Sequence, residues 1–263
     1  MTTGLPDAAT LERARLALDI KDPVATVTLS LPERRNAQTP SMWQALAEIG
    51  ANLPEDVRVV VVKGAGPSFS AGIDVALLSG KGVPGEVAPA ELLGGGDEAL
   101  LDAIDGYQRG FTWLRDPRFI SIAQVQGHAI GAGFQLALAC DLRVVADDVE
   151  FAMLEPALGL VPDLTGTKPL VELVGYSRAL EICATARHVL AEEARELGLA
   201  TVVVPAAELD ATTADLTEAL LANAAGAVRE TKALLQSAAV EDLDGQRLLE
   251  RQAQLRRFRE LVA

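Results

Sequence analysis

The chain has 263 residues, of which 49% are hydrophobic and 23% are charged, a composition typical of a globular protein with a sizeable core. Its formal net charge of -14 at pH 7 argues against a general nucleic-acid binder, because contacts to phosphates need a concentrated basic surface. No apolar run reaches the roughly 18 residues that cross a bilayer, and the N-terminus lacks a secretory-signal pattern, so we expect a cytoplasmic protein.

The N-terminal part of the sequence predicts a β-hairpin, a helix and a buried strand. Two apolar, β-branched stretches flank the turn at Lys21-Asp22-Pro23, as in a hairpin. A helical pattern follows Pro40, and a continuous β-branched run then predicts a strand that is buried on both faces. The predicted strands are 14–19, 24–29 and 57–62, and the predicted helix is 42–51.

Two turns of small residues follow buried strands, and each could bring backbone N–H groups to a ligand. The first turn is Ser68 to Asp74. The second includes Gly127, Gly131 and Gly133, and a helical pattern starts after it at Phe134. The first N–H groups of a helix lack intrahelical partners and can hold a developing anion. Alternatively, the small residues only let the helix pack closely on the strand.

The rest of the sequence predicts an irregular segment, alternating strands and helices, and a helical tail. Residues 79–96 are rich in glycine and proline, so we expect a mobile surface segment that gates a site. The alternation implies parallel strands with right-handed crossovers. The tail begins at Glu208, with breaks predicted at Gly226 and Gly245, and its apolar positions suggest packing against another subunit. Further predicted helices are 100–114, 168–173, 178–184 and 189–197, and further predicted strands are 120–125, 141–146, 149–152 and 201–204.

Four stretches of the sequence are motifs whose order and spacing can be compared with those of known families. They are Ser30 to Ala37, Val60 to Asp74, Gln126 to Leu142 and Phe151 to Pro162. Their order and spacing resemble the crotonase superfamily, the enoyl-CoA hydratase/isomerase family, over nearly the whole chain. The resemblance implies an α/β fold, a crotonase (ClpP/crotonase-like) spiral of ββα units with a C-terminal helical trimerisation region. Residues 1–205 would form the spiral core with the acyl-CoA site, and residues 206–263 the oligomerisation region of a homotrimer or of a hexamer built as a dimer of trimers.

The resemblance also implies which residues bind an acyl-CoA thioester. The backbone N–H groups of Ala71 and Ala132 would form an oxyanion hole around the thioester carbonyl. Many members of the family have glycine at the position of Ala132, but alanine keeps the backbone donor. Coenzyme A would be part of the substrate, with no separate cofactor, and the isolated Cys and His residues suggest no metal site. The residues expected to line the CoA site are Arg34, Ala37, Ala71, Gly72, Ile73 and Asp74.

Two basic clusters are candidates for contact with a polyanionic ligand. One is Arg34 with Arg35, and the other lies near the C-terminus. In the family, a basic residue of a neighbouring subunit's C-terminal helix often assists CoA binding, but a solvated charged face is the alternative for both clusters. The C-terminal cluster consists of Arg251, Arg256, Arg257 and Arg259.

Three polar side chains decide which reaction the resemblance implies. Hydratases of the family hold one water between two glutamates, and Gln135 stands at the first of these positions. An amide cannot take up and release a proton at pH 7, which argues against efficient hydration. Glu155 matches the second glutamate. Asp163 resembles the second acid of dienoyl-CoA isomerases, although those enzymes have an aspartate at the position of Gln135. The alternatives are a solvated loop carboxylate for Glu155 and a helix cap or turn residue for Asp163.

Two classes of function follow. The first is an enoyl-CoA or dienoyl-CoA isomerase, with Glu155 as acid/base, Asp163 as a candidate second acid, and Gln135 positioning substrate or water. The second is a non-catalytic acyl-CoA-binding protein that kept the fold and the oxyanion hole. An enoyl-CoA hydratase with weak activity is a third alternative, within the enzyme class. The presence of Glu155 in an otherwise apolar loop favours catalysis.

Overall fold

The computed structural model describes residues 4–79 and 82–262, which form two β-sheets surrounded by helices. Within these ranges, no helix combines the length and the apolar character that a membrane span requires. The strands are β1 (Leu16–Lys21), β2 (Val24–Leu29), β3 (Val59–Gly64), β4 (Ile120–Val125), β5 (His128–Ile130), β6 (Leu142–Ala146), β7 (Glu150–Ala152), β8 (Val189–Leu190) and β9 (Val202–Val204). The helices are α1 (Ala8–Arg13), α2 (Pro40–Asn52), α3 (Pro89–Gly94), α4 (Asp97–Thr112), α5 (Ala132–Ala139), α6 (Thr167–Val174), α7 (Tyr176–Thr185), α8 (Ala191–Glu196), α9 (Leu209–Leu221), α10 (Ala225–Ser237) and α11 (Leu243–Val262).

The main sheet contains six strands in the order β1-β2-β3-β4-β6-β9. Strands β1 and β2 pair in antiparallel orientation, which confirms the predicted hairpin. Every later pair in this sheet is parallel, which confirms the predicted parallel strands and the α/β class. Strand β3 reads Val-Val-Val-Val-Lys-Gly and is almost completely buried, as expected for the centre of a parallel sheet with both faces covered.

A second, three-stranded sheet brings the two small-residue turns together. Strand β5 pairs with β7 in parallel, and β7 pairs with β8 in antiparallel orientation. The sequence predicts only a turn where β5 lies, between Gly127 and Gly131, which both have positive φ (54° and 52°). An isolated bridge joins Ser70 to Ala129. The turn after β3 therefore lies directly beside the turn that precedes α5.

The glycine-rich segment is more regular than the sequence predicts. Gly80 and Lys81 lie outside the described residues, but the remainder contains α3, which starts at Pro89. Proline is favoured in the first turn of a helix, and the high glycine content obscures this signal. Both carboxyl oxygens of Glu86 accept hydrogen bonds from Ser41, one from its N–H at 3.0 Å and one from its hydroxyl, which ties the segment to the start of α2. The prediction of a segment without a regular element is wrong, whereas its gating role stays a prediction.

The C-terminal helices do not break at the predicted glycines. Gly226 and Gly245 lie in the first turns of α10 and α11, and the breaks occur at residues 222–224 and 238–242. A Cβ atom on Gly226 would lie 1.9 Å from Nη1 of Arg257. Gly226 therefore lies against the guanidinium group of Arg257 on α11 and does not end a helix.

Lys232 fastens α10 to the core of the main sheet. Its buried ammonium group donates to the carbonyl oxygens of Asp116 (2.7 Å) and Phe119 (2.8 Å) and to the carboxylate of Asp141 (2.7 Å). Helices α10 and α11 and the connection between them nevertheless expose several large apolar side chains. A trimer or hexamer that covers them stays a prediction. The most exposed of them are Leu235, Val240, Leu243, Leu261 and Val262.

Candidate active site

A cavity of about 460 Å³ lies beside the two small-residue turns, and its walls are mostly apolar. Cavities of this size are typical of small-molecule sites. Helices α2 and α4 contribute one wall, residues 75–93 contribute a second, and the start of α5 with residues 154–164 contributes a third. Among the described residues that line it, Glu155 and Asp163 supply the only carboxyl groups.

The first turn offers a free backbone N–H group to this cavity, but not at the predicted residue. The N–H of Ala71 donates to the carbonyl oxygen of Arg35 at 2.8 Å, so it is not available to a substrate oxygen. The residues on either side of Ile73 bond to Gln38, which leaves the N–H of Ile73 without a partner among the described residues. The predicted oxyanion-hole donor of this turn is therefore corrected from Ala71 to Ile73.

The second turn contributes Ala132 to the cavity lining, and the role of its N–H as the other oxyanion donor stays a prediction. Ala132 is the first residue of α5, where a backbone N–H has no intrahelical carbonyl to bond. A Cβ atom on Gly72 would lie 3.4 Å from the nitrogen of Ala132 and only 2.4 Å from the carbonyl oxygen of Ile130. The two turns thus approach so closely that Ile73 and Ala132 both line the same cavity.

Gln135 and Glu155 form a buried pair behind the second small-residue turn. Nε2 of Gln135 donates to Oε1 of Glu155 at 2.7 Å. Oε1 of Gln135 accepts from the N–H groups of Leu164 (2.9 Å) and Gly166 (3.2 Å), and these two donors fix the orientation of the amide. Gln135 is 1% exposed and does not line the cavity. It therefore positions Glu155, which differs from the expectation that it would position substrate or water.

Glu155 is the member of this pair that reaches the cavity. Its Oε2 atom is buried and has no hydrogen-bond partner among the described residues. Burial raises the pKa of Glu155, the hydrogen bond from Gln135 opposes this shift, and the negative charge of Asp163 adds to it. A carboxyl group with a raised pKa can exchange a proton near neutral pH. The solvated loop carboxylate that the sequence left open is therefore excluded for Glu155.

Asp163 lies at a more exposed part of the same cavity. Partial desolvation raises the pKa of its carboxyl group. Its backbone carbonyl accepts a hydrogen bond from Nε2 of Gln108 on α4 at 2.7 Å, which holds the loop in place. The next helix, α6, has no side-chain cap. These contacts favour a cavity group over a helix cap.

We expect Asp163→Asn to move the acid limb of the pH profile of kcat/KM to lower pH. Activity that needs ionised Glu155 rises with pH as this carboxyl loses its proton, and loss of the charge at residue 163 lowers the pKa of Glu155. The measurement is kcat/KM as a function of pH for wild type, Asp163→Asn and Asp102→Asn, whose side chain is exposed on α4. An unchanged acid limb in Asp163→Asn would mean that Asp163 is only a loop residue.

The residues expected to line the CoA site fall into two groups. Arg34 and Asp74 bind each other, because the guanidinium group makes two contacts of 2.9 Å with the buried carboxylate. Ala37 is buried in the same loop. These three lie beside the cavity, and their contact with CoA stays a prediction. The residues of the second group, which line the cavity, are Ala71, Gly72 and Ile73.

Two of the four arginines of the C-terminal basic cluster form ion pairs within the chain. Arg256 binds Glu230 through contacts of 2.6 and 2.8 Å, and Arg257 pairs with Glu260. These pairs agree with a solvated charged face, and a contact between this cluster and CoA stays a prediction.

Asn36 is a site-building residue that the sequence analysis misses. Its Nδ2 group donates to the carbonyl oxygens of Ala65, Ser68 and Phe69, and its Oδ1 accepts from the N–H of Leu31. It holds the loop of Arg34 to the first small-residue turn. The only sign of this role in the sequence is the residue type. Asn36 has a φ of 53°, and asparagine tolerates this left-handed conformation better than most residues.

Comparisons with solved structures agree with this fold. The sequence model described as enoyl-CoA hydratase/isomerase matches residues 19–261. A structure from Thermobifida fusca YX, provisionally called an enoyl-CoA hydratase and solved in complex with CoA, is 52% identical, with a TM-score of 0.94 and 99% of both chains covered. A second structure from that organism, in complex with acetoacetyl-CoA, is 54% identical, with a TM-score of 0.94, and covers 97% of this chain and 99% of that chain. These matches confirm the predicted crotonase-type fold.

Curated relatives catalyse more than one reaction. The peroxisomal Delta(3,5)-Delta(2,4)-dienoyl-CoA isomerase of Arabidopsis thaliana is 34% identical over 193 residues, which cover 73% of this chain and 68% of that protein. The short-chain-enoyl-CoA hydratase of Clostridium acetobutylicum is 29% identical over 237 residues, covering 89% of this chain and 85% of that protein. Similarity alone therefore does not choose between isomerisation and hydration.

Proposed function

The chain belongs to the enoyl-CoA hydratase/isomerase family, and on that basis we propose that it shifts a carbon–carbon double bond in an unsaturated acyl-CoA thioester. The observation that carries this proposal is the buried pair of Gln135 and Glu155. One carboxylate oxygen of Glu155 is unpartnered at the cavity wall, and its neighbour is an amide that cannot exchange a proton.

The backbone N–H groups of Ile73 and Ala132 are the proposed oxyanion hole. An α-proton of a thioester becomes removable only when the enolate oxygen is stabilised, and preorganised N–H donors supply this stabilisation. Removal of one such donor typically lowers kcat by about 100- to 1000-fold. The hole is formed by backbone groups, so it does not depend on the side chains of Ile73 and Ala132.

Glu155 is the proposed acid/base. As a carboxylate, it takes a proton from the α-carbon, and the electron pair of the broken C–H bond becomes delocalised into a dienolate. It then gives the proton to the γ-carbon, which moves the double bond from the 3-position to the 2-position. The step consumes no water and needs one proton-exchanging group, because the same carboxyl removes and returns the proton.

Hydration is the second candidate reaction, and the position of Asp163 favours it. Glu155 and Asp163 line the same cavity, and the negative charge of Asp163 contributes to the raised pKa of Glu155. A water held between them would resemble the water that two glutamates hold in family hydratases. The contacts of Gln135 still favour isomerisation, since this amide supplies Glu155 with a hydrogen bond but not with a second proton-exchanging group.

A panel of three thioesters tests the proposal: a 2-enoyl-CoA, a 3-enoyl-CoA and a 3,5-dienoyl-CoA. The expected result is conversion of the 3-enoyl or dienoyl substrate to a product with a shifted double bond and unchanged mass. Products should be identified by chromatography and mass spectrometry. Gain of one water by the 2-enoyl-CoA as the faster reaction would establish hydration instead. Binding of all three without conversion would establish a non-catalytic acyl-CoA-binding protein.

We expect Gln135→Glu to increase water addition to a 2-enoyl-CoA. The new carboxyl would stand within hydrogen-bond reach of Glu155, because the present contact between the two side chains is 2.7 Å. Two carboxyl groups at this separation share a proton, and the pair can then both donate and accept protons. The hydration rate should be measured for wild type and for Gln135→Glu, with Gln135→Met as the control that removes the polar group. An unchanged rate in Gln135→Glu would show that the missing glutamate does not limit hydration.

A further inference from the structure

Glu86 caps helix α2 from a distant part of the chain. The N–H groups in the first turn of a helix lack intrahelical acceptors, and the side chain at the N-cap position usually bonds to one of them. Thr39 holds this position in α2 but makes no such bond. The carboxylate of Glu86 instead accepts from the N–H of Ser41 at 3.0 Å and from its hydroxyl. The helix dipole also favours a negative charge at this end of α2.

The contact between Glu86 and Ser41 lies at the junction of two cavity walls. Pro40, the residue before Ser41, and Trp43 line the cavity from α2, and Val87, the residue after Glu86, lines it from the opposite side of the junction. Glu86 and Ser41 do not line the cavity themselves. Their contact therefore joins the two walls beside lining residues of both.

Few other contacts hold the wall formed by residues 82–96. Every residue in this range is at least partly exposed. Among the described residues, Glu86 makes the only side-chain hydrogen bonds between this range and the rest of the chain. Backbone hydrogen bonds join it to other residues only near its ends, as from the N–H of Gly82 to the carbonyl oxygen of Ala76 at 3.0 Å. Segments with few buried contacts open at a low cost in free energy, so the contact of Glu86 matters for how firmly this wall is held.

The lining side chains of this wall are apolar and only partly covered. Val87 and Leu93 are 45% and 56% exposed. Of the described residues in 82–96 that line the cavity, Leu92 alone packs against the main hydrophobic core. An apolar chain in the cavity would cover this surface, and burial of apolar surface favours binding. That gain requires close contact, so it depends on the wall being held in place.

We infer that Glu86 is a positioning residue for the acyl chain of the substrate. Its carboxylate fastens residues 87–93 to α2, so the apolar wall is already in place when a long acyl chain enters the cavity. The inference rests on the proposed acyl-CoA function and adds the contact that sets the preference for long apolar acyl groups. Ile73, Ala132 and Glu155 lie on other parts of the lining, so a short acyl group does not depend on Glu86.

Binding of saturated, unreactive acyl-CoA thioesters tests this role apart from catalysis. Acetyl-, butanoyl-, hexanoyl-, octanoyl- and decanoyl-CoA are titrated into wild type and Glu86→Ala by calorimetry. Wild-type affinity should rise with chain length as more methylene groups are buried. In Glu86→Ala the affinity for the longest chains should fall about tenfold, the scale of losing a hydrogen bond to a charged group, and the affinity for acetyl-CoA should be retained. With long 3-enoyl substrates, KM should rise by a similar factor while kcat changes little.

Glu91→Ala is the matched control, because Glu91 is an exposed glutamate on α3, in the same wall, that does not line the cavity. It should bind the whole series as wild type does. Ser41→Ala removes the hydroxyl donor but keeps the N–H, so its loss of affinity for long chains should be smaller than that of Glu86→Ala. The double variant should be no weaker than Glu86→Ala, because the two side chains act through one contact.

The possible failures point to different conclusions. An unchanged dependence on chain length in Glu86→Ala would overturn the positioning role, and wild-type affinity that does not rise with chain length would overturn the preference for long chains. Equal losses for acetyl- and decanoyl-CoA, with a lower melting temperature, would mean that Glu86 only caps α2, which also overturns the role. Failure of every thioester to bind to wild type would instead overturn the proposed function.

Discussion

Replacement of Glu155 by Gln is expected to lower kcat for the double-bond shift by about 100- to 10,000-fold, the range for loss of a general acid/base. An amide is nearly isosteric with the carboxyl group and can still bond to Gln135, but it cannot take the α-proton or return it to the γ-carbon. The affinity for an unreactive saturated acyl-CoA should change little, because backbone N–H groups are proposed to hold the thioester oxygen. The measurement is kcat and KM on the 3-enoyl and dienoyl substrates, together with the Kd of the saturated thioester.

The stability of Glu155→Gln separates loss of chemistry from loss of fold. Folding raises the pKa of Glu155, so the folded state binds this proton more tightly than the unfolded chain. The contribution of Glu155 to stability therefore falls as pH rises from the ordinary pKa of glutamate toward the raised value. Glutamine at residue 155 does not ionise, so the variant does not lose stability in this way as pH rises. Its melting temperature near neutral pH should therefore equal or exceed that of wild type.

Glu98→Gln is the matched control for Glu155→Gln, because Glu98 is exposed on α4. It should retain both kcat and melting temperature. Full isomerase activity in Glu155→Gln would show that Glu155 is not the acid/base. If the variant instead lost activity and also melted at a lower temperature than wild type, the lost activity would be explained by unfolding.

The strands of the main sheet could be predicted because their signals are local. The β-branched run of β3 and the apolar stretches of the hairpin specify extended, buried backbone without help from distant residues. Strand β5 could not be predicted in this way. It has three residues between two glycines and forms a strand because β7 lies beside it. Helix α3 was missed because glycine-rich composition outweighed the start signal at Pro89.

The candidate site shows the same division between local and long-range information. Glu155 and Gln135 follow from motif positions, and the structure places them in contact. The proposed oxyanion donor of the first turn moves from Ala71 to Ile73. In an extended segment the N–H groups of these two residues would point to the same side, but Gly72 between them has a φ of 83°, which interrupts the extended backbone. The carbonyl of Arg35 binds the N–H of Ala71, and this loop contact determines which side faces the cavity. Such a contact has no signature in the turn itself.

Gly72→Ala is the second variant with a large expected effect, because Gly72 sets the distance between the two proposed oxyanion donors. Its φ is 83°, and an added Cβ atom would lie 2.4 Å from the carbonyl oxygen of Ile130. Backbone must move to relieve this contact, and the N–H of Ile73, in the next residue, moves with it. We expect kcat to fall by about 100- to 1000-fold, the effect of losing one oxyanion-hole donor.

Gly198→Ala is a matched control, since Gly198 has a φ of 74° and no heavy atom within 4 Å of an added Cβ. In both variants, alanine in a left-handed backbone conformation lowers the free energy of unfolding by about 1–2 kcal/mol. Only in Gly72→Ala does the new Cβ atom also clash with a neighbouring carbonyl oxygen. The melting temperature should therefore fall in both, and kcat should fall in Gly72→Ala alone. Equal kcat values in the two variants would mean that the spacing of the two turns is irrelevant to turnover, and the amides of Ile73 and Ala132 would then not be the groups that hold the thioester oxygen.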